Sequence, residues 1–116
     1  MEKIDAVAAL AALAQDSRLD VFRLLVQAGQ AGMPAGQVAE ALSLAPNTLT
    51  FHFDRLRHAG LITVRREGRS MIYAARYDTM NALVGFLTEN CCRGVATDGT
   101  ATCAPKPTRK RVKERA

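Results

Sequence analysis

Cysteine is scarce in this chain and confined to one end: of 116 residues only Cys91, Cys92 and Cys103 are cysteines. No apolar stretch approaches the ~18 unbroken residues of a membrane span, so no membrane partner is expected. The opening "MEKIDAVAAL" mixes charges, and its alanine-rich run reads as an amphipathic helix, not a signal peptide. A cytoplasmic location is therefore expected. Thiols stay reduced there and serve as ligands or sensors more often than as a disulfide framework. There is no glycine-rich phosphate loop, no pair of acids in a plausible cleft and no Ser/His/Asp arrangement, which argues against an enzyme. No internal repeat is present.

The basic excess is also unevenly placed. The chain carries a net charge of +5, yet residues 1–103 hold ten Lys/Arg and ten Asp/Glu and are neutral. The tail "APKPTRKRVKERA" supplies the excess, with six basic residues and one acid. Its prolines and lack of apolar periodicity predict disorder over 104–116. It is either an arm for nucleic-acid phosphate or a solubilising end. A case for DNA must come from the body.

The chain is 48% hydrophobic, enough for a core in one domain. Residues 3–14, "KIDAVAALAALA", predict a helix whose small Ala6, Ala8, Ala9, Ala11 and Ala12 let another helix approach closely. "QDSRLDVFRLLVQAG" follows, with Asp16 or Ser17 as cap and Leu19, Phe22, Leu25 and Val26 at helical spacing, ended by Gly29. After a loop "QAGMP", the helix "AGQVAEALSL" leads through a tight turn to Pro46 at a first helical position. "PNTLTFHFDRLRHAG" is the next helix, ended by Gly60. Two short helices joined by a tight turn signal a helix-turn-helix.

The period then changes. "LITVRREGRSMIYAAR" alternates on both sides of Gly68 and predicts a β-hairpin with Arg65, Arg66 and Arg69 around its tip. "YDTMNALVGFLTENCC" returns to helical spacing at Met80, Leu83, Val84 and Leu87, with Gly94 as its end. Residues 93–103 are small and polar and predict a flexible loop. A hairpin directly after a recognition helix makes a winged helix. The expected fold is mainly α (α+β), a winged helix-turn-helix of five helices with a two-stranded hairpin wing. Residues 1–92 form the DNA-binding and dimerisation domain.

At 100° per residue, Leu49, Phe53 and Leu56 fall in one sector of the fourth helix and face the core. Asn47, Thr48, Thr50, Phe51, Asp54, Arg55 and His58 then point outward. Short hydroxyl and amide groups near the helix start suit base edges, and Arg55 one turn on suits phosphate or guanine. Phe51 either meets a thymine methyl or packs under the wing. His52, at the border of the core sector, is either a base reader or a hydrogen-bonded structural group. Arg65, Arg66 and Arg69 are either a solvated hairpin or contacts to phosphate and minor groove. One such domain makes few phosphate contacts, so a homodimer reading two half-sites is expected, joined through the first and last helices.

With these stretches in view, the sequence resembles the ArsR/SmtB family of bacterial winged-helix metal-sensing repressors. "LAQDSRLDVFRLL", "PNTLTFHFDRLRHAGLITVRREGRSMIYAAR" and the last amphipathic helix carry the resemblance across most of residues 4–92. It implies a homodimer on an imperfect inverted repeat of operator DNA, released when an inducer binds; DNA binding itself requires no cofactor. The cysteine pair that well-known arsenical sensors place in the first helix of the helix-turn-helix is absent from "AGQVAEALSL". The "LTENCC" ending is similar to an arsenite-responsive branch whose thiols close the last helix, which implies Cys91, Cys92 and Cys103 as ligands.

Three soft thiolates, with no histidine in residues 76–103, favour a soft ion. Structural zinc usually takes four ligands, whereas the lone pair of trivalent arsenic or antimony fills the remaining direction. Asp98 or water could complete a divalent site instead, for cadmium, lead or zinc. Adjacent thiols on an ideal helix diverge by about 100°, so the helix must end or unwind for both to share an ion. Other readings are a thiol-oxidation sensor, buried packing thiols and an architectural DNA binder that does not use its cysteines.

Overall fold

The computed structural model describes residues 1–92. Cys103, the expected loop 93–103 and the expected tail 104–116 lie outside the described residues. The chain divides into two compact units, Met1–Phe86 and a second beginning at Leu87.

The first helix, α1 (Lys3–Leu13), buries Ala6, Ala9 and Ala12 on one stripe. Their methyl groups are small enough for α1 to pack closely on α2 (Asp16–Ala28) and α4 (Pro46–His58). Neither Asp16 nor Ser17 caps α2; the side chain of Gln15 does, accepting from the Arg18 amide at 2.9 Å. The Arg18 guanidinium in turn donates to the Ala12 carbonyl at 2.7 Å, satisfying a backbone acceptor at the end of α1. Val21, Phe22 and Leu25 form the buried stripe of α2, whereas Leu19, expected there, is exposed.

The helix-turn-helix is α3 (Ala35–Leu42) and α4. Its turn is set by a Schellman pattern: Leu44 N–H donates to Ala39 O at 3.0 Å, and Ser43 N–H to Glu40 O at 3.4 Å. Ser43 adopts the left-handed conformation, φ 55°, where glycine is usual. The same pattern closes α4, from Leu61 N–H to Leu56 O and Gly60 N–H to Arg57 O. Leu56 and Leu61 are both fully buried, the apolar contact that accompanies this motif.

The wing is β2 (Ile62–Glu67) and β3 (Ser70–Ala75), antiparallel, with Glu67 opposite Ser70. The intervening turn is Gly68–Arg69, and only Gly68 has positive φ. The expected loop "QAGMP" contains a third strand, β1 (Met33–Pro34), so the sheet is three-stranded in the order β1-β3-β2. Met33 pairs with Tyr73 and Pro34 with Ile72. Gly32 makes that pairing possible: a Cβ there would lie 2.5 Å from the Tyr73 carbonyl oxygen.

The core gathers Val21, Leu25, Val38, Leu49, Leu56, Leu61 and Ile62 between the helices and the sheet. The Phe53 ring of α4 stacks on Tyr73 of β3, centroids 3.7 Å apart and planes at 10°. The last helix, α5 (Tyr77–Leu87), is anchored by the Tyr77 hydroxyl donating to Val26 O at 2.9 Å. It stops at Leu87, short of the expected end at Gly94. No helix among the described residues is long and apolar enough to cross a membrane.

Candidate nucleic-acid interface and thiol pair

Packing decides which side of α4 faces solvent. Leu49, Phe53 and Leu56 anchor one face, so Asn47, Thr48, Thr50, Phe51, Asp54, Arg55 and His58 are all exposed. The helix begins at Pro46 after Ala45, which offers no side-chain cap, so amide groups of its first turn are left for an outside acceptor. Several outward groups are already engaged. Thr50 Oγ1 donates to Pro46 O at 3.0 Å, His58 Nδ1 lies 2.7 Å from Asp54 O, and Arg57 pairs with Asp54 at 3.3 Å. Asn47, Thr48 and the Arg55 guanidinium make no hydrogen bond or ion pair among the described residues.

Phe51 does not pack under the wing. Its ring borders an open groove of about 610 Å³ against Ala8, Ala11 and Ala12 of α1 and is 53% exposed. Arg55 lies over it, Cζ 5.3 Å from the ring centroid. His52 is turned inward and only 6% exposed, which removes it from the residues that can touch a base edge. Its Nδ1 has no hydrogen-bond partner among the described residues. Burial, and secondarily the Arg18 charge, hold its imidazole below the usual value.

The three wing arginines differ in a way their spacing did not reveal. Arg65 donates to Ala31 O at 2.7 Å and to the Glu67 carboxylate at 2.7 Å, bridging the wing to the turn before β1. Arg66 Nε donates to Gly68 O at 3.2 Å. Arg69, at the tip, is exposed and has no such partner among the described residues.

In the second unit, Leu87 is followed by a turn in which Asn90 and Cys92 both have positive φ, 61° and 68°. The unwinding brings Cys91 Sγ to 3.1 Å from Cys92 Sγ. Cys91 is an exposed free thiol, and Cys92 is disulfide-bonded. No group of three His, Cys, Asp or Glu side chains converges as a metal site among the described residues.

Helix, tight turn, recognition helix and a two-stranded wing within a three-stranded sheet together define a winged helix-turn-helix DNA-binding module. Residues 13–65 match the family model described as a helix-turn-helix domain. The chain is 36% identical over 77 residues to the uncharacterized HTH-type transcriptional regulator YceK of Bacillus subtilis, covering 66% of this chain and 76% of that one. An ArsR-like transcriptional regulator from Rhodococcus sp. RHA1 superposes with a TM-score of 0.67 at 23% identity, covering 87% and 96% of the two chains. The winged domain of Mb0332 from Mycobacterium bovis, described as homodimeric and as a possible ArsR-family regulator, does so with a TM-score of 0.60 at 25% identity, covering 78% and 83%. The chain belongs to the HTH-type transcriptional regulators, a family of DNA-binding proteins, and its fold is that of ArsR-like regulators.

Proposed function

We propose that this regulator is a metalloid-responsive repressor: a homodimer that holds operator DNA and releases it when As(III) or Sb(III) binds thiolates of Cys91, Cys92 and Cys103. The observation that carries the metalloid reading is the 3.1 Å approach of Cys91 and Cys92 in the unwound turn. Two sulfurs each about 2.3 Å from one ion lie about 3.8 Å apart at a tetrahedral angle and about 3.2 Å apart at a right angle. The two sulfurs are thus brought within reach of one shared ion. Both sulfurs must be thiolates for this, so the disulfide at Cys92 has to be reduced first.

DNA binding is supported by the exposed polar start of α4 and the unpartnered Arg69 at the wing tip. The expected operator is an imperfect inverted repeat. Dimerisation is supported by the homodimeric Mb0332 domain and by the apolar face that α1 turns to solvent, where Ile4, Val7 and Leu10 are exposed, as is Val84 on α5. A second reading, thiol-oxidation sensing, is favoured by the disulfide at Cys92.

Fluorescence anisotropy of a bound operator duplex, with the protein reduced beforehand and the reductant removed, titrated with arsenite, antimonite, zinc, cadmium and peroxide, separates the readings. Release by the trivalent ions, lost in Cys91→Ser/Cys92→Ser while DNA binding persists, is the expected result. Release by arsenite that survives in that double variant refutes the site, and release by peroxide alone favours the redox reading.

A further inference from the structure

We infer that Phe51 and Arg55 form one reading unit for a thymine adjoining a G·C pair in the major groove, a reading that rests on the DNA-binding role proposed above. The outward face of α4 holds few groups still free to read a base. Thr50 has spent its hydroxyl proton on Pro46 O, and His58 faces the Asp54 carbonyl. Asp54, the one carboxylate on this face, is paired with Arg57, so it does not compete for Arg55.

Phe51 and Arg55 are separated by four residues. They therefore lie about 6 Å apart along the helix axis and on nearly the same side of it. The guanidinium rests over the exposed ring at 5.3 Å from its centroid. Its N–H donors have no hydrogen-bond partner among the described residues and remain available to a base edge. Bases on one strand are spaced about 3.4 Å apart, so a pair of this size spans neighbouring steps and not distant ones. In the major groove the apolar feature available to a phenyl ring is the thymine methyl, and the feature that matches a guanidinium fork is guanine O6 with N7. Because the two side chains touch each other, their two targets must be adjacent.

The test begins with a duplex selected from a random library by the full-length chain. Each thymine is then replaced by uracil, and each guanine by 7-deazaguanine, and binding is followed by anisotropy. One thymine per half-site is expected at which loss of the methyl weakens binding roughly fourfold. An adjoining guanine is expected at which loss of N7 weakens it roughly tenfold. Phe51→Ala becomes indifferent to that uracil but still senses the guanine, and Arg55→Gln shows the reverse. The scan on the unaltered chain decides the matter even if a variant folds poorly. If uracil is tolerated at every position, if Phe51→Ala keeps the same uracil penalty, or if the sensitive bases are not neighbours, the inference is wrong while the DNA-binding role stands. A chain that selects no duplex at all overturns that role and this inference together.

Discussion

Arg65 and Arg69 look equivalent at the wing, yet their replacement by glutamine should affect DNA binding differently. On duplex DNA, the logarithm of the binding constant falls with the logarithm of salt concentration, with a slope of about 0.9 for each phosphate neutralised. A dimer has two wings, so one Arg69 contact per wing contributes about 1.8 to the slope. Over a fourfold rise in salt, from about 50 to about 200 mM, those two contacts alone weaken binding about 12-fold. Arg69→Gln should remove that component, binding more weakly at low salt and depending less steeply on salt. Arg65 already satisfies Ala31 O and Glu67, both at 2.7 Å. Its ion pair with Glu67 is half-exposed and is worth about 1 kcal/mol at most. Arg65→Gln should therefore loosen the wing and lower affinity at every salt concentration without changing the slope. The assay is anisotropy of the same duplex at five salt concentrations for the unaltered chain and both variants. A slope reduced as much by Arg65→Gln as by Arg69→Gln would refute the assignment of Arg65 as a strut.

Three further outcomes follow from the geometry. Ser43→Gly should relieve the left-handed strain at φ 55° and, after the added freedom of the unfolded chain is subtracted, stabilise the protein by about 0.5 kcal/mol, read as a higher thermal midpoint. Gly32→Ala should cost about 2–4 kcal/mol, because its Cβ meets the Tyr73 carbonyl at 2.5 Å, while Gly36→Ala, with open space around it, should be neutral or mildly stabilising; urea midpoints compare the two. His52 is held below its ordinary value of 6.5, so beneath that pH the unfolded chain takes up a proton that the folded chain refuses. Stability should accordingly fall as pH drops from about 7.5 to about 5.5, and His52→Gln should flatten the dependence; stability that rises on acidification would contradict the assignment.

The recognition helix was legible because three signals agree on it: Pro46 at its start, Gly60 after its end, and the spacing of Leu49, Phe53 and Leu56. β1 was not, since two residues, Met33 and Pro34, cannot display an alternating pattern; their pairing is set by Tyr73 and Ile72 some forty positions away. The end of α5 was placed too late because Cys91 and Cys92 prolong an apolar pattern that the backbone abandons after Leu87. The cap of α2 was missed because Gln15 lies outside the short polar residues that usually fill this position. At the site, sequence grouped the wing arginines by charge alone. What separates them is a contact between Arg65 and Ala31, a relation across 34 positions that no local pattern carries.

The face-to-face contact of Phe53 with Tyr73 also bears on how such a molecule can respond to a signal. It fastens hairpin and reading helix into a single plate, and β1 rivets the same strand from its other edge. Among the described residues, the two surfaces that would grip a duplex are therefore packed directly on each other. On the proposed function, an inducer would then act on how far apart, and at what tilt, the two copies carry their reading heads.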